Sequence, residues 1–554
     1  MNLSRAAARA RARVRQSVGR RREPTPPRAG SAKSATAKSA TAKSSAKSAI
    51  ATPAEVAEAA HPPQRAMSHA EVRTIFFGLM LAAFLAALNQ TIIATALPTI
   101  GRAFGDFENL AWIVTAYLLT STAVAPLYGK LSDIWGRRAM ILLAIGLFVA
   151  GSVMAAAAPS MMLLILGRAL QGIGGGGILP LCQSVIADVV APRERGRYQA
   201  YMGVVWVTSG VCGPVFGGMM AEHLHWSLIF WINVPLGLGA AMLTHIYLKR
   251  IPRHDRRHKL DVLGAVLMMA SAVPLLLALT WGGTRLPWLS APILSLIGAS
   301  FVLSLLFGWR LTRAEEPFLP LSVLNNPVMR MGTASASLAM GVSIGLTIVV
   351  PMYFEVAHHL SATESGLALI PLALTTPGSL LSGQAMLYWR HYKRAPMFGL
   401  VCALIALVVL IWRPDLSLTY VIALLSVVGT AIGLVYPVTT VSIQNAVPHH
   451  QVGIAMGALN FFRSLTSAFV VAVLGAILLA GFGVAPERGG HAVSVMGTVS
   501  AAGDGHVAFV FRWVFLASFA FLAASLVFLA LMEERPLRAT AVPDEPPRAS
   551  PPVR

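Results

Sequence analysis

Charge is what this chain has least of. Asp, Glu, Lys and Arg make up only 12% of its 554 residues, about half the share found in ordinary soluble domains. A surface wetted all round cannot be built from that composition, which excludes a soluble globular protein. Cysteine is scarce too: Cys182, Cys212 and Cys402 all sit in apolar stretches. They offer no disulfide framework and no metal-ligand spacing, so they read as small packing residues. No G-x-x-x-x-G-K-[ST] loop occurs, which excludes a nucleotide-driven pump within this chain, and no constellation points to an enzyme. Strict alternation of apolar and polar residues is missing as well, and with it the signature of a membrane β-barrel.

What the chain has is apolar length. Hydrophobic residues form 56% of it, in runs of roughly 20, each long enough to cross a bilayer as a helix. Spans are predicted at 74–98, 109–129, 138–158, 161–187, 197–221, 227–248, 260–281, 287–309, 330–354, 363–386, 395–412, 416–441, 452–480 and 507–531, fourteen in all. The fold class is all-α integral membrane. Loop charge orients the spans. One side collects Lys130, Arg137, Arg138, Arg193, Arg195, Arg197, Lys249, Arg250, Arg253, Arg256, Arg257, Lys259, Arg310, Arg313, Arg330, Arg390, Lys393 and Arg394. The other has Arg102, Arg285, Arg413, Arg488 and Arg512. Eighteen against five places both termini in the cytoplasm under the positive-inside rule, in a multi-pass cytoplasmic (inner) membrane protein.

A net charge of +21 would suggest nucleic acid in a soluble chain. Here much of it lies in residues 1–73, which hold fifteen Lys or Arg against four Glu around "SAKSATAKSATAKSSAKSA". That composition cannot bury a core and is expected to be disordered. Without interleaved aromatics it reads as a tail lying over anionic lipid, and no nucleic-acid partner is expected. The Arg-rich, acid-poor opening also resembles an organelle transit peptide, and Met67 offers an alternative start just before the first span.

A faint repeat divides the rest. "YGKLSDIWGRRAM" and "LSGQAMLYWRHYKRAP" share Gly and Trp at one offset, Gly129 to Trp135 and Gly383 to Trp389, with basic residues after both. This suggests two six-helix halves, as in carriers built from repeats. The expected organisation is a tail at 1–73, a six-helix half at 74–248, and a linker with two inserted spans at 249–309. A second half at 310–531 and a cytoplasmic tail at 532–554 complete it.

Polar residues inside the spans carry the functional signal, since polar groups in lipid are costly and mark pathways. The first span reads "ALNQTIIATALPTI", with Asn89, Gln90, Thr91 and Thr95 in the run. Arg168 lies within "LGRALQGIGGGGILPL" and Arg463 within "NFFRSL". Each is a functional candidate, with a hydrogen-bond hub for backbone carbonyls as the alternative for Arg168. Gly174 to Gly177 allow close approach of a substrate or of another helix. In "GKLSDIWGRR", Gly129 and Gly136 permit a tight turn, and Asp133 can accept from Arg137 and Arg138. Such a cluster can pin two halves in one state and release them in the other, or it is a plain stop signal. Gly213 and Gly217 form a G-x-x-x-G pair around Pro214, flanked by Gly210 and Gly218. This pattern suggests a close helix interface where halves rock.

Taken in order, these pieces resemble the major facilitator superfamily, whose loop between spans 2 and 3 reads G-x-L-x-D-x-x-G-R-R/K. The likeness extends over nearly all of 74–531. "LGRALQGIGGGGILPL", "GVCGPVFGG", "FWINVPLG" and "NFFRSL" are similar to spans 4, 5, 6 and 13 of its fourteen-span drug:proton antiporter branch, the EmrB/QacA type. The resemblance implies a major facilitator fold, with two inserted spans between six-helix halves. It also implies export of drugs or other hydrophobic small molecules against protons by alternating access. The runner-up is an uptake carrier or uncoupled facilitator for a specific metabolite.

On that reading the substrate cavity is expected to draw on Asn89, Gln90, Thr91, Trp112, Tyr117, Gln171, Trp206, Asn233, Tyr353, Gln444, Asn460 and Phe461. Gln183, Trp231, Tyr436 and Asn445 are further candidates. Gating falls to Gly129, Asp133, Gly136, Arg137, Arg138, Gly210, Gly213, Pro214, Gly217 and Gly218. No metal or cofactor is expected, the proton gradient being the drive. Partners are protons, a small hydrophobic substrate and the bilayer. A periplasmic adaptor and outer-membrane channel could dock on the Gly-rich loop 481–506, if the cell has an outer membrane, though that loop also reads as a spacer.

One departure matters. The branch has an aspartate where this chain has Asn89, and an amide cannot load a proton. No span carries an acid at its middle, so proton coupling is assigned to Glu355 or Glu222 at span ends, with Arg168 and Arg463. The alternatives are His245, His358, His359 or Asp188, or weakened coupling with neutral or anionic substrates.

Overall fold

The structure, a computed structural model, describes residues 69–250, 260–369, 372, 376–389, 391–413, 416–482 and 504–537. The basic tail, the 251–259 linker and 483–503 of the Gly-rich loop lie outside these residues, as does the side chain of Glu222. Among the described residues thirteen helices are long and apolar enough to cross a membrane. The tenth predicted span, 363–386, is represented by two helices of 7 and 13 residues, Ala362–Ala368 and Thr376–Tyr388, with 370, 371 and 373–375 outside the description.

The first bundle runs α1 (His69–Phe104), α2 (Leu110–Trp135), α3 (Arg137–Ala156), α4 (Met161–Val189), α5 (Pro192–His223), α6 (Leu228–Trp231) and α7 (Asn233–Tyr247). The sixth predicted span is thus broken after Trp231. Pro235 cannot donate to the carbonyl four residues back, so the ladder is interrupted there. Next come α8 (Val262–Trp281), α9 (Ala291–Arg313) and the short α10 (Leu321–Leu324). The remainder is α11 (Pro327–Ala357), α12 (Ala362–Ala368), α13 (Thr376–Tyr388), α14 (Arg394–Trp412), α15 (Leu418–Ala446), α16 (Val452–Gly481) and α17 (Asp504–Leu531).

Helix ends are held by local chemistry. Asn326 caps α11, accepting from Val328 N at 3.0 Å and Met329 N at 3.3 Å. Asp261 caps α8 through Gly264 N at 3.0 Å and also pairs with Arg310 on α9 at 3.0 Å, so one carboxylate joins the two. Between α2 and α3 the chain reverses through Gly136 at φ 89°, a left-handed conformation suited to glycine.

Within the first bundle α4 packs along α3 and α2, while α1 packs along α5 and α7. The glycines of α4 make this possible. A Cβ on Gly174 would strike Phe148 of α3, and on Gly175 or Gly177 it would strike Tyr117 or Tyr128 of α2. Helix packing, rather than substrate approach, is what these positions serve. In the second bundle α11 packs against α16, α17 and α15, and α14 against α15 and α17. α8 and α9 pair with each other, and α8 touches α2 and α16. α9 leaves Phe301, Leu305 and Trp309 exposed, as a lipid-facing helix should.

The bundles meet through α2 against α16 and α5 against α13, at the end where the basic loops gather. There a Cβ on Gly129 would strike the Gly453 carbonyl, so the two backbones touch. Asp133 of α2 accepts from the first turn of α16, from Gly453 N at 3.2 Å and Ile454 N at 3.0 Å. A carboxylate on a helix N-terminus is favoured by both the free N–H groups and the macrodipole. Arg137 braces the arrangement with bonds to Asp133 and to Asp188 of α4, the latter at 3.0 Å. His449, just before α16, lies 3.5 Å from the other Asp188 oxygen. Arg138 contacts His245 of α7 instead and stays within its own bundle. The basic face is closed.

Asp133→Asn keeps the shape but loses the charge that the α16 N-terminus binds. It is expected to weaken closure by about 1–3 kcal/mol. Spin labels at Trp135 and Tyr388 should then show a longer-distance population; an unchanged distribution would mean that Asp133 does not hold this face. Asp261→Ala should lower the thermal unfolding midpoint in detergent, with about 1–2 kcal/mol lost with the cap.

Candidate functional site

Two buried arginines organise the polar interior, at different depths. Arg168 lies seven residues from the α4 end opposite the basic face, roughly 10 Å along the helix. Its Nε donates to the Ile113 carbonyl of α2 at 2.9 Å. Its Nη1 donates to Asn89 Oδ1 of α1 at 3.0 Å and to Gln171 Oε1 at 2.5 Å. Gln171 passes the chain on to Ser152 of α3 at 2.7 Å. The guanidinium carbon stands 4.5 Å from the Tyr117 ring centroid and 5.9 Å from that of Phe230, on whose faces a cation is favoured. Every contact is with a neutral group. The hydrogen-bond hub for a carbonyl and the functional polar cluster are therefore one and the same cage.

The second network crosses between the bundles. Arg463 of α16 donates to Asn460 Oδ1 at 2.5 Å and covers the Tyr436 ring at 5.0 Å. Asn460 Nδ2 donates to Gln183 Oε1 of α4 at 2.8 Å. Gln183 in turn donates to the Tyr436 hydroxyl, and Gln444 donates to the Gln183 carbonyl at 3.0 Å. Gln183 is thus the hub that ties α4 to α15 and α16. Closure of the basic face is sealed by this amide layer beneath the Asp133 contacts.

The predicted site residues divide accordingly. Asn89, Tyr117, Gln171 and Arg168 meet in the first cage, and Gln90 is exposed beside it, reaching the Tyr117 hydroxyl. Gln444, Asn460 and Arg463 meet in the second. Others go elsewhere. Thr91 donates to the Ser209 carbonyl at 2.8 Å and ties α1 to α5. Trp112 packs edge-on against Trp281 of α8, 5.5 Å between centroids, and Trp206 lies against the first bundle's core. Asn233 is fully buried, its Nδ2 directed at the Ile229 carbonyl of the preceding turn. Tyr353 sits in an aromatic cluster with Phe511 and Phe515, and Phe461 packs on Phe462 in an apolar core. Large aromatic side chains were drawn into helix contacts because those bury most area.

The glycine motif of α5 also lies elsewhere than expected. Gly213 and Gly217 would place a Cβ against Thr91, Ile92 and Thr95 of α1, so this interface is inside the first bundle and not between the rocking halves. Gly210 and Gly218 face open space, and Pro214 is exposed. Glu355, near the end of α11, is half-buried and pairs with no described residue. Beyond that helix, burial and neighbouring His359 hold the His358 imidazole below the ordinary histidine value.

Sequence reasoning missed Ser152 and His449 and did not foresee that Asp188 braces Arg137. Ser152 is one hydroxyl in an apolar run, and only the packing of α3 on α4 sets it under Gln171. His449 looks like a loop residue until α16 is docked.

Comparison with known proteins agrees with the architecture. Residues 79–471 match the Major Facilitator Superfamily. An MFS-type transporter of Mycobacterium tuberculosis is 34% identical over 416 residues, covering 73% of this chain and 59% of that one. The multidrug transporter protein MdtP of Bacillus subtilis is 31% identical over 406 residues, covering 72% and 74%. The proton:xylose symporter XylE has the same fold at 15% identity, with a TM-score of 0.54 over 82% of this chain and 96% of that one. With two helical bundles joined by an α2–α16 contact, and a family match over most of its length, the chain belongs to the Major Facilitator Superfamily.

Proposed function

We propose that the protein is a secondary exporter of hydrophobic small molecules, drugs among them, in the cytoplasmic membrane, with both termini and the basic face in the cytoplasm. It works by alternating access, driven by ion gradients rather than by a bound nucleotide. The observation that carries this is the closed basic face, where a small set of polar contacts reinforces the packing of α2 on α16 and of α5 on α13. Contacts of that kind exchange for water at modest cost. Breaking them frees the bundles to rock and expose the interior on the other side. The MdtP relative is named a multidrug transporter, which favours export over uptake.

Proton antiport is assigned to Glu355. Asn89 occupies the cage position where a carboxylate would face Arg168, and it cannot titrate. Glu355 is a half-buried carboxylate near the end of α11 with no partner among the described residues, which supports its loading a proton from the outer side. The same observation at Asn89 favours a second reading, export without protons. Reconstituted liposomes holding an internal pH dye separate the two. Under the first reading substrate addition moves protons in wild type, and Glu355→Gln abolishes that movement while substrate still binds. Substrate flux without any proton movement in wild type would establish the uncoupled carrier, and Asn89→Asp is then expected to confer coupling.

A further inference from the structure

We propose that the Arg168 cage seats the anionic group of the substrate, so that the exported compounds are hydrophobic organic monoanions. This rests on the exporter reading and adds the charge of its cargo.

A guanidinium stays protonated in proteins, so Arg168 is a permanent positive charge. It is buried among Ile113, Asn89, Gln171, Tyr117 and Phe230, and no described carboxylate pairs with it. Burying a charge without its opposite is unfavourable even when every hydrogen bond is made. Here they are not all made. Nε and Nη1 are engaged, and no described residue accepts from Nη2.

A second, independent observation points the same way. Asn89 spends its oxygen on Arg168, and its buried Nδ2 makes no well-formed hydrogen bond, with only the Tyr117 hydroxyl near it. Two residues joined by a hydrogen bond therefore each keep a donor group to spare, and no carboxylate among the described residues meets either. Such a pair asks for oxygens carrying negative charge, and a carboxylate or sulfonate supplies two in one plane. An ammonium has only donors to offer and meets a like charge. Access is from the side of Gln90, which is exposed one residue along α1 and reaches the Tyr117 hydroxyl. The cage also lies in the half of the membrane away from the closed basic face.

Arg463 makes the contrast. Its guanidinium is held by Asn460 and the Tyr436 ring in a layer that closes between the bundles, which gives it a structural partner set in this state. Neither arginine meets an opposite charge among the described residues, but the amide of Asn460 is used on Gln183 while that of Asn89 makes no well-formed hydrogen bond. An anionic cargo also suits the loss of a titratable group at position 89. An inside-negative membrane potential pushes an anion outward, so the site itself needs no proton to give transport a direction.

The test uses the full chain in proteoliposomes loaded with three probes sharing one apolar body: naphthalene sulfonate, naphthalene sulfonamide and naphthylmethyl trimethylammonium. All three keep their charge throughout the working pH range. The sulfonate is expected to leave at least about tenfold faster than the trimethylammonium probe, the ratio set by one charged hydrogen bond. A valinomycin potential, negative inside, should speed it further. Asn89→Asp, which gives Arg168 an internal carboxylate, should cut sulfonate efflux by a similar factor without changing the unfolding midpoint by more than a few degrees. Efflux of the trimethylammonium probe as fast as the sulfonate, or sulfonate efflux indifferent to Asn89→Asp, overturns the proposal. Movement of only the sulfonamide overturns it too and leaves the exporter reading standing. If none of the three moves, the exporter reading falls and takes the proposal with it. The wild-type ratio decides the question even if a variant fails to fold.

Discussion

Hydrocarbon offers no hydrogen-bond partner, and the rest of this structure follows from that. Backbone groups are paired within helices, which is why the spans are helical at all. Polar side chains inside the spans must find one another, and among the described residues the two largest such networks stand out. One is the cage in which Arg168 joins α1, α2 and α4 through Asn89, Ile113 and Gln171. The other is the amide layer in which Gln183 joins α4 to Asn460, Tyr436 and Gln444. The same rule thus builds a fixed site within one bundle and a breakable seal between two.

The seal and the site share α4. Gln183 stands near its basic end and Arg168 near the other, fifteen residues apart on one helix. At the basic end α4 also supplies Asp188, which braces Arg137 and faces His449. A substrate that alters how α4 sits against α1 and α2 therefore acts on the helix that carries the seal. The polar part of closure is compact: a carboxylate on the first turn of α16, a guanidinium behind it and the amide layer below, beside glycines that let backbones touch. Those groups are hydrated readily when the face opens, which is what a two-state element requires.

Much of the fold was legible because membrane spanning leaves a strong mark on composition. Apolar runs located thirteen helices with ends off by up to about six residues, and the family match covers most of them. The "GKLSDIWGRR" loop announced an Asp–Arg cluster at a tight turn, and Gly136 does turn in the left-handed region. Members of the two polar networks were legible where a polar atom had to be met inside lipid: Asn89, Gln171, Arg168, Gln444, Asn460 and Arg463. They were not legible where apolar area decided the outcome. Trp112, Trp206, Tyr353 and Phe461 look like cavity walls in sequence, yet each packs on neighbouring helices.

By itself the sequence determined that this chain crosses a membrane many times as helices, which face carries the positive charge, and that a non-titratable amide stands in its first span. Those properties are set by local composition, and no neighbour can alter them. Tertiary structure decided who meets whom. It turned Gly213 and Gly217 toward α1, placed Asp133 under the α16 N-terminus, and set Asn89 against Arg168 with one amide group unspent. Partnerships between residues scores to hundreds of positions apart depend on helix rotation and depth. Those are fixed only when the helices pack.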